Sequence, residues 1–131
     1  MDITPLVAEG QQIVQSYAGG VFRVSGQQYE SAVILTPEQT TTWSLSTSQL
    51  SDLTMDDFAP VIACASEYDV FLLGCGDKMA FLDKELKNQL RAKGIAFDCM
   101  DTGAACRTYN VLMAEGRRVL GALLLVSPRS S

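Results

Sequence analysis

Met100-Asp101-Thr102-Gly103-Ala104-Ala105-Cys106-Arg107-Thr108-Tyr109-Asn110 holds a strand end, a helix cap and a helix start within eleven positions. Ile95 to Met100 leads into it as a strand. Asp101 and Thr102 then form the capping pair of a helix from about Gly103 to Glu115, closed by Gly116. Upstream, Val70 to Leu73 is a second, continuously apolar strand ending in Gly74-Cys75-Gly76. Between the two strands, Leu82, Leu86 and Leu90 at i, i+4 spacing predict a helix from Phe81 to Lys93, with Asp83 and Lys87 paired on its surface and Gly94 as its stop. Downstream, Val119 to Val126 lacks polar alternation, so that strand is expected to be covered on both faces. Strand, helix, strand, helix and strand in this order require a right-handed crossover and at least one parallel pair.

Further out, the pattern changes near residue 55. The first part alternates short β-rich runs with turn residues: Ile13 to Tyr17, Ala18-Gly19-Gly20, Val21 to Val24, Gly26, and Tyr29 to Leu35 ended by Thr36-Pro37. These predict hairpins, with Gly19-Gly20 as a turn or a bulge and Thr40 to Trp43 as a further strand. Asp57 is the expected N-cap of a helix through Ser66, with Pro60 in its first turn and Phe58, Val61, Ile62 and Ala65 on the buried side. The expected architecture is α/β and three-layered: a central mixed sheet, helices on both faces, and N-terminal β-hairpins that extend or cover it. The length of 131 residues suits one domain spanning residues 1–131, with 127–131 as a loose tail.

Composition narrows the function classes. Hydrophobic residues make up 47% and charged residues 19%, which describes a globular core. The net charge of −5, without a basic run, argues against a nucleic-acid partner. Met1 to Pro5 carries no signal-peptide pattern and no apolar run can span a bilayer, so a cytoplasmic protein without membrane insertion is expected. Cys64, Cys75, Cys99 and Cys106 show no C-x-x-C spacing and read as reduced structural thiols rather than metal ligands. With no histidine in the chain, histidine acid/base catalysis and the usual Ser-His and Cys-His pairs are excluded. Neither a metal nor a cofactor is expected.

If the strands before Gly74 and Asp101 are parallel neighbours, their following loops emerge together at the carboxyl end of the sheet, where open α/β folds bind ligands. Gly74, Cys75, Gly76, Asp77, Asp101, Thr102 and Arg107 are therefore the candidate ligand-binding residues. The glycines allow close backbone approach, the helix starts after each loop offer partial positive charge, and Arg107 supplies a fork of donors to an anion. Each also has a structural reading: Gly74 and Gly76 as a tight turn, Asp101 and Thr102 as a cap, and Asp77 as a charge that repels an anion. Cys75 is the thiol whose place at a strand end suits reactivity, or it fills a tight turn. Arg107 and Asn110 share a helical face and are the candidate interface residues. Tyr109 and Leu112 point to the core.

Leu73 to Gly76, Met100 to Asn110 and Glu115 to Val119 resemble the signature segments of a family of small, largely uncharacterised domains. That family includes bacterial and archaeal single-domain proteins and the mitochondrial complex I assembly factor 3. The resemblance covers most of the chain from Phe71 to Leu124 and implies a three-layer fold with a central mixed sheet. It carries over no catalytic residue, and its mitochondrial member works by binding other proteins. The leading expectation is thus a non-enzymatic interaction or assembly factor with a protein partner. A binder of a small anionic ligand comes second, and an enzyme using Cys75 or an Asp77–Asp101 carboxylate pair third.

Overall fold

The computed structural model describes residues 10–45, 47 and 49–127. In chain order its strands are Val14–Ser16 (β1), Phe22–Val24 (β2), Gln27–Tyr29 (β3), Val33–Leu35 (β4), Thr40–Thr42 (β5), Val70–Gly74 (β6), Phe97–Met100 (β7) and Val119–Leu123 (β8). Its α-helices are Ala59–Cys64 (α1), Lys84–Ala92 (α2) and Thr102–Ala114 (α3). The central sheet has the order β5-β4-β8-β6-β7, and β1-β2-β3 form a separate antiparallel sheet. β6 is parallel to both β7 and β8, whereas β4 is antiparallel to β8 and to β5. The central sheet is therefore mixed, as expected.

Alternation along the central strands divides the core into two. Ile34, Phe71, Leu73, Leu120 and Ala122 face Val61 of α1 and Leu86 and Leu90 of α2. Val33, Leu35, Leu72, Val119 and Leu123 face Ala105, Cys106, Tyr109 and Met113 of α3, together with Val14, Phe22 and Val24 of the smaller sheet. Every residue of β8 is buried, which is the physical reason for its lack of polar alternation. Trp43, Phe58, Phe97 and Phe71 form a chain of tilted ring contacts on the first face, and the Trp43 indole N–H donates to the Asp57 carbonyl at 2.7 Å.

Several boundaries differ from expectation. Tyr29 to Leu35 is two strands, because β3 pairs with β2 in the small sheet and β4 with β8 in the large one, so the chain must bend between them. Gly19-Gly20 lies in the turn between β1 and β2, while the register irregularity falls inside β1, between Val14 and Ser16. The segment expected to start at Asp57 begins earlier, with a 3₁₀ turn at Met55–Phe58 capped by Thr54. Asp57 reaches back to accept the Thr54 N–H at 2.8 Å, the carboxylate half of a capping box rather than the cap. α1 ends at Cys64 and a second 3₁₀ turn, Ala65–Glu67, completes the stretch. α2 starts at Lys84, since the Asp83 carboxylate caps the Leu86 N–H and leaves Phe81 and Leu82 outside the helix. β8 ends at Leu123, although Leu124 and Val126 stay buried. Of the expected loose tail, Ser127 is tied by its N–H to the Asp77 carboxylate at 2.6 Å; residues 128–131, like Met1 to Pro5, lie outside the described residues.

Candidate functional site

The parallel register pairs Leu73 with Cys99 and Gly74 with Met100, so the loops leaving β6 and β7 stand side by side. The chain runs from β6 to α2 on one face of the sheet and from β7 to α3 on the other. Adjacent connections that part to opposite faces leave a crevice between the strand ends. Here that crevice is laced by Thr102, which is fully buried. Its hydroxyl donates to the Leu124 carbonyl at 2.7 Å and accepts the Gly76 N–H at 2.9 Å, and its own N–H donates to the Gly76 carbonyl at 2.9 Å. The Cys75 N–H bonds the Met100 carbonyl at 2.8 Å. A Cβ on Gly74 would lie 2.8 Å from the Thr102 hydroxyl, so glycine is required there by packing. Gly76 has φ +94°, a left-handed conformation that turns the chain away from the sheet.

Asp101 caps α3 by accepting the Ala104 N–H at 2.8 Å. Against the first turn of α3 lies Tyr17, whose ring occupies the place of a Cβ on Gly103. The Tyr17 hydroxyl accepts a hydrogen bond from Nη1 of Arg107 at 2.7 Å. Asn110 lies further along and is joined to β1: its Oδ1 accepts the Val14 N–H and its Nδ2 donates to the Val14 carbonyl, both at 2.9 Å. The Tyr109 hydroxyl donates to the Gln12 carbonyl at 2.8 Å, and burial raises its pKa. The polar side chains of α3 thus hold neighbouring segments in place.

Outside the laced loops, Gln15 to Ala18, Gly76, Asp77, Asp101, Gly103, Arg107 and Val126 line an open groove of about 540 Å³. A second hollow of about 730 Å³ shares Gly76, Asp77 and Val126 with it and extends past Cys75 to Gly19-Gly20, Glu30 and Gln49. The structure therefore gathers Gly76, Asp77, Asp101 and Arg107 at one surface. Gly74 and Thr102 lie behind it as packing, and Asn110 is bound to Val14. The start of α2 is ten residues beyond Gly74, with its own Asp83 cap, so it offers no positive end to this groove. Two carboxylates and one guanidinium line the groove, a charge set unfavourable to a small anion.

Cys75 and Cys99 sit at staggered positions on the two adjacent strand ends, both half-buried against the α1/α2 core. The Cys75 S–H has the Ala80 carbonyl at 3.3 Å and the Leu73 carbonyl at 3.7 Å as acceptors. The neighbouring Cys75 thiol, with the Leu82 N–H and the Lys87 charge, draws the Cys99 pKa down, against burial and the Asp98 carboxylate. The same pairing and burial push Cys75 up, and burial, with a smaller push from Asp101, raises Cys106 to about 12 against the Arg107 charge. Only the register of β6 and β7 reveals the pair. Sequence reasoning also missed Tyr17, although the small residues Gly103-Ala104-Ala105 were a signal that something packs closely on the helix start. Among the described residues, no group of three or more Cys, Asp or Glu side chains could hold a metal ion, and no helix is long and apolar enough to cross a membrane.

The model of the family described as "Protein of unknown function (DUF498/DUF598)" matches residues 14–124. An uncharacterised protein of Rhodobacter capsulatus is 36% identical over 115 residues, covering 88% of this chain and 85% of the relative. The human NADH dehydrogenase [ubiquinone] 1 alpha subcomplex assembly factor 3 is 30% identical over 115 residues, covering 88% of this chain; the match spans 61% of that relative's length. A solved structure described as an outer membrane protein from Bartonella henselae superposes with a TM-score of 0.79 at 31% identity, covering 90% of this chain and 98% of that one.

Proposed function

We propose, from the premise that this chain belongs to the DUF498/DUF598 family of proteins of unknown function, that it acts as a non-enzymatic binding factor in the assembly of a larger protein complex. The observation that carries this reading is the 30% identity with the human complex I assembly factor over 88% of the chain. The chemistry of the rim agrees with it. The polar groups of α3 are bonded to neighbouring segments, no histidine is present to move protons, and the anion-binding alternative meets two carboxylates in the groove. A protein partner would meet the rim where Tyr17 and Arg107 stand beside Asp77 and Asp101. Arg107 is exposed there and offers donors beyond the one given to Tyr17. The free thiols suit a reducing compartment and hence a cytoplasmic location.

The test is affinity purification from the native organism at graded ionic strength, with Arg107→Glu as the comparison. The expected outcome is a stoichiometric protein partner with wild type, its recovery falling by about tenfold or more with the charge reversal. Recovery of no stoichiometric partner at any salt concentration overturns the reading.

A further inference from the structure

We infer that Cys75 and Cys99 form a two-thiol modification site, in which Cys99 is oxidised by a small peroxide and Cys75 resolves the product as a disulfide. The inference is independent of the proposed assembly role and starts from the sheet register. Cys99 is opposite Leu73, so Cys75 lies two positions further along the neighbouring strand, and side chains two apart point to the same face. Both thiols lie on that face, half-buried against the α1/α2 core. Their surroundings differ in a useful way. Cys75 has two carbonyl acceptors for its S–H, which favour the thiol, whereas the Leu82 N–H and the Lys87 charge favour a thiolate at Cys99 against the opposing Asp98 carboxylate. Cys75 lines the 730 Å³ hollow beside Gly76 and Asp77, and Cys99 is itself only partly buried, so a molecule of peroxide size can approach each thiol.

The chemistry balances with hydrogen peroxide as the oxidant. The Cys99 sulfur attacks one peroxide oxygen, the O–O bond breaks, and the departing hydroxide takes a proton to become water. Cys99 is then a sulfenic acid. The Cys75 sulfur attacks the Cys99 sulfur, the S–O bond breaks, and the hydroxyl leaves as water with the Cys75 proton. Two thiols have lost two electrons and the peroxide has become two waters; a low-molecular-weight thiol reverses the reaction by exchange.

Geometry adds a consequence. Diagonal neighbours on a sheet stand roughly 7–8 Å apart, while a disulfide needs Cα atoms about 4.4–6.8 Å apart. Cys75 must therefore move toward β7. That movement strains the Cys75 bond to Met100 and the Gly76 bonds to Thr102 that lace the crevice. Oxidation is thereby coupled to opening of the loop beneath the rim groove.

The experiment treats the full chain with stoichiometric hydrogen peroxide and follows intact mass and peptide maps, using wild type, C75S and C99S. Serine is close in size to cysteine, and circular dichroism checks that each variant is folded. Wild type is expected to lose two hydrogens and yield a Cys75–Cys99 linked peptide, with faster amide exchange over Gly74 to Gly76. C75S is expected to stop at a Cys99 sulfenic acid trapped by a 1,3-diketone. C99S is expected to consume peroxide about tenfold more slowly. The inference is overturned by linkage through Cys64 or Cys106 instead, by C99S reacting as fast as wild type, or by wild type forming no intramolecular disulfide.

Discussion

α2 and α3 each follow a strand of the same parallel pair, yet they are built on opposite plans. α2 buries Leu86 and Leu90 along one stripe and leaves its other residues to solvent, so packing is its whole connection to the sheet. α3 buries Thr102, Gly103, Ala105, Cys106, Tyr109 and Met113, and its Thr102, Asn110 and Arg107 side chains reach the ends of β6 and β8, the β1 backbone and Tyr17. A helix read easily from its apolar period is a strut. One whose period is interrupted by small and polar residues is a latch.

Substitutions that remove one kind of contact at a time sharpen this difference. The largest loss is expected for Leu90→Ala, which deletes a fully buried side chain and leaves a cavity: about 2–5 kcal/mol by chemical denaturation. A loss below about 1 kcal/mol would mean that α2 is dispensable to the core. Next comes Thr102→Val, which keeps the shape but strips partners from the Gly76 N–H and Leu124 carbonyl, at roughly 1–3 kcal/mol in all. Thr102→Ser should restore most of that loss; if serine is as poor as valine, shape rather than hydrogen bonding holds the crevice.

The smallest effect is expected away from both helices, at Glu38. This residue pairs through both carboxylate oxygens with Arg118, whose guanidinium also lies over the Tyr68 ring at 4.8 Å. The Arg118 hydrogen bond holds the Glu38 carboxyl below its ordinary range. Its contribution is therefore present above the ordinary carboxylate pKa and fades as pH falls through the lower folded value. Because both side chains are largely exposed, Glu38→Gln should cost less than about 1 kcal/mol at neutral pH and less still in high salt. A larger, salt-insensitive loss would place this corner among the latches.

The same distinction explains what the amino-acid order revealed. β6 and β8 were visible because their apolar runs have few other solutions, and α2 was visible because its leucines repeat every fourth residue. The Asp101 cap was visible too, since capping is a local interaction. The division of Tyr29 to Leu35 between two sheets was hidden, because each half is a good strand and only the tertiary partners decide where it bends. The roles of Thr102, Tyr17 and Cys99 were hidden for a related reason: each depends on a residue far away in the chain that the sheet brings near. Thr102 read as a cap because capping is the commonest use of threonine at a helix start, whereas its hydroxyl bridges two strand ends.

The Asn110 carboxamide offers Val14 one acceptor and one donor, the same two bonds an adjoining β backbone would give. A single side chain thus stands in for a strand, and the N-terminal three-stranded unit joins the rest by side-chain bonds from α3 and a shared apolar core rather than by a shared ladder. Loosening of that unit would lift Tyr17 off Gly103 without breaking any backbone pairing of the central sheet.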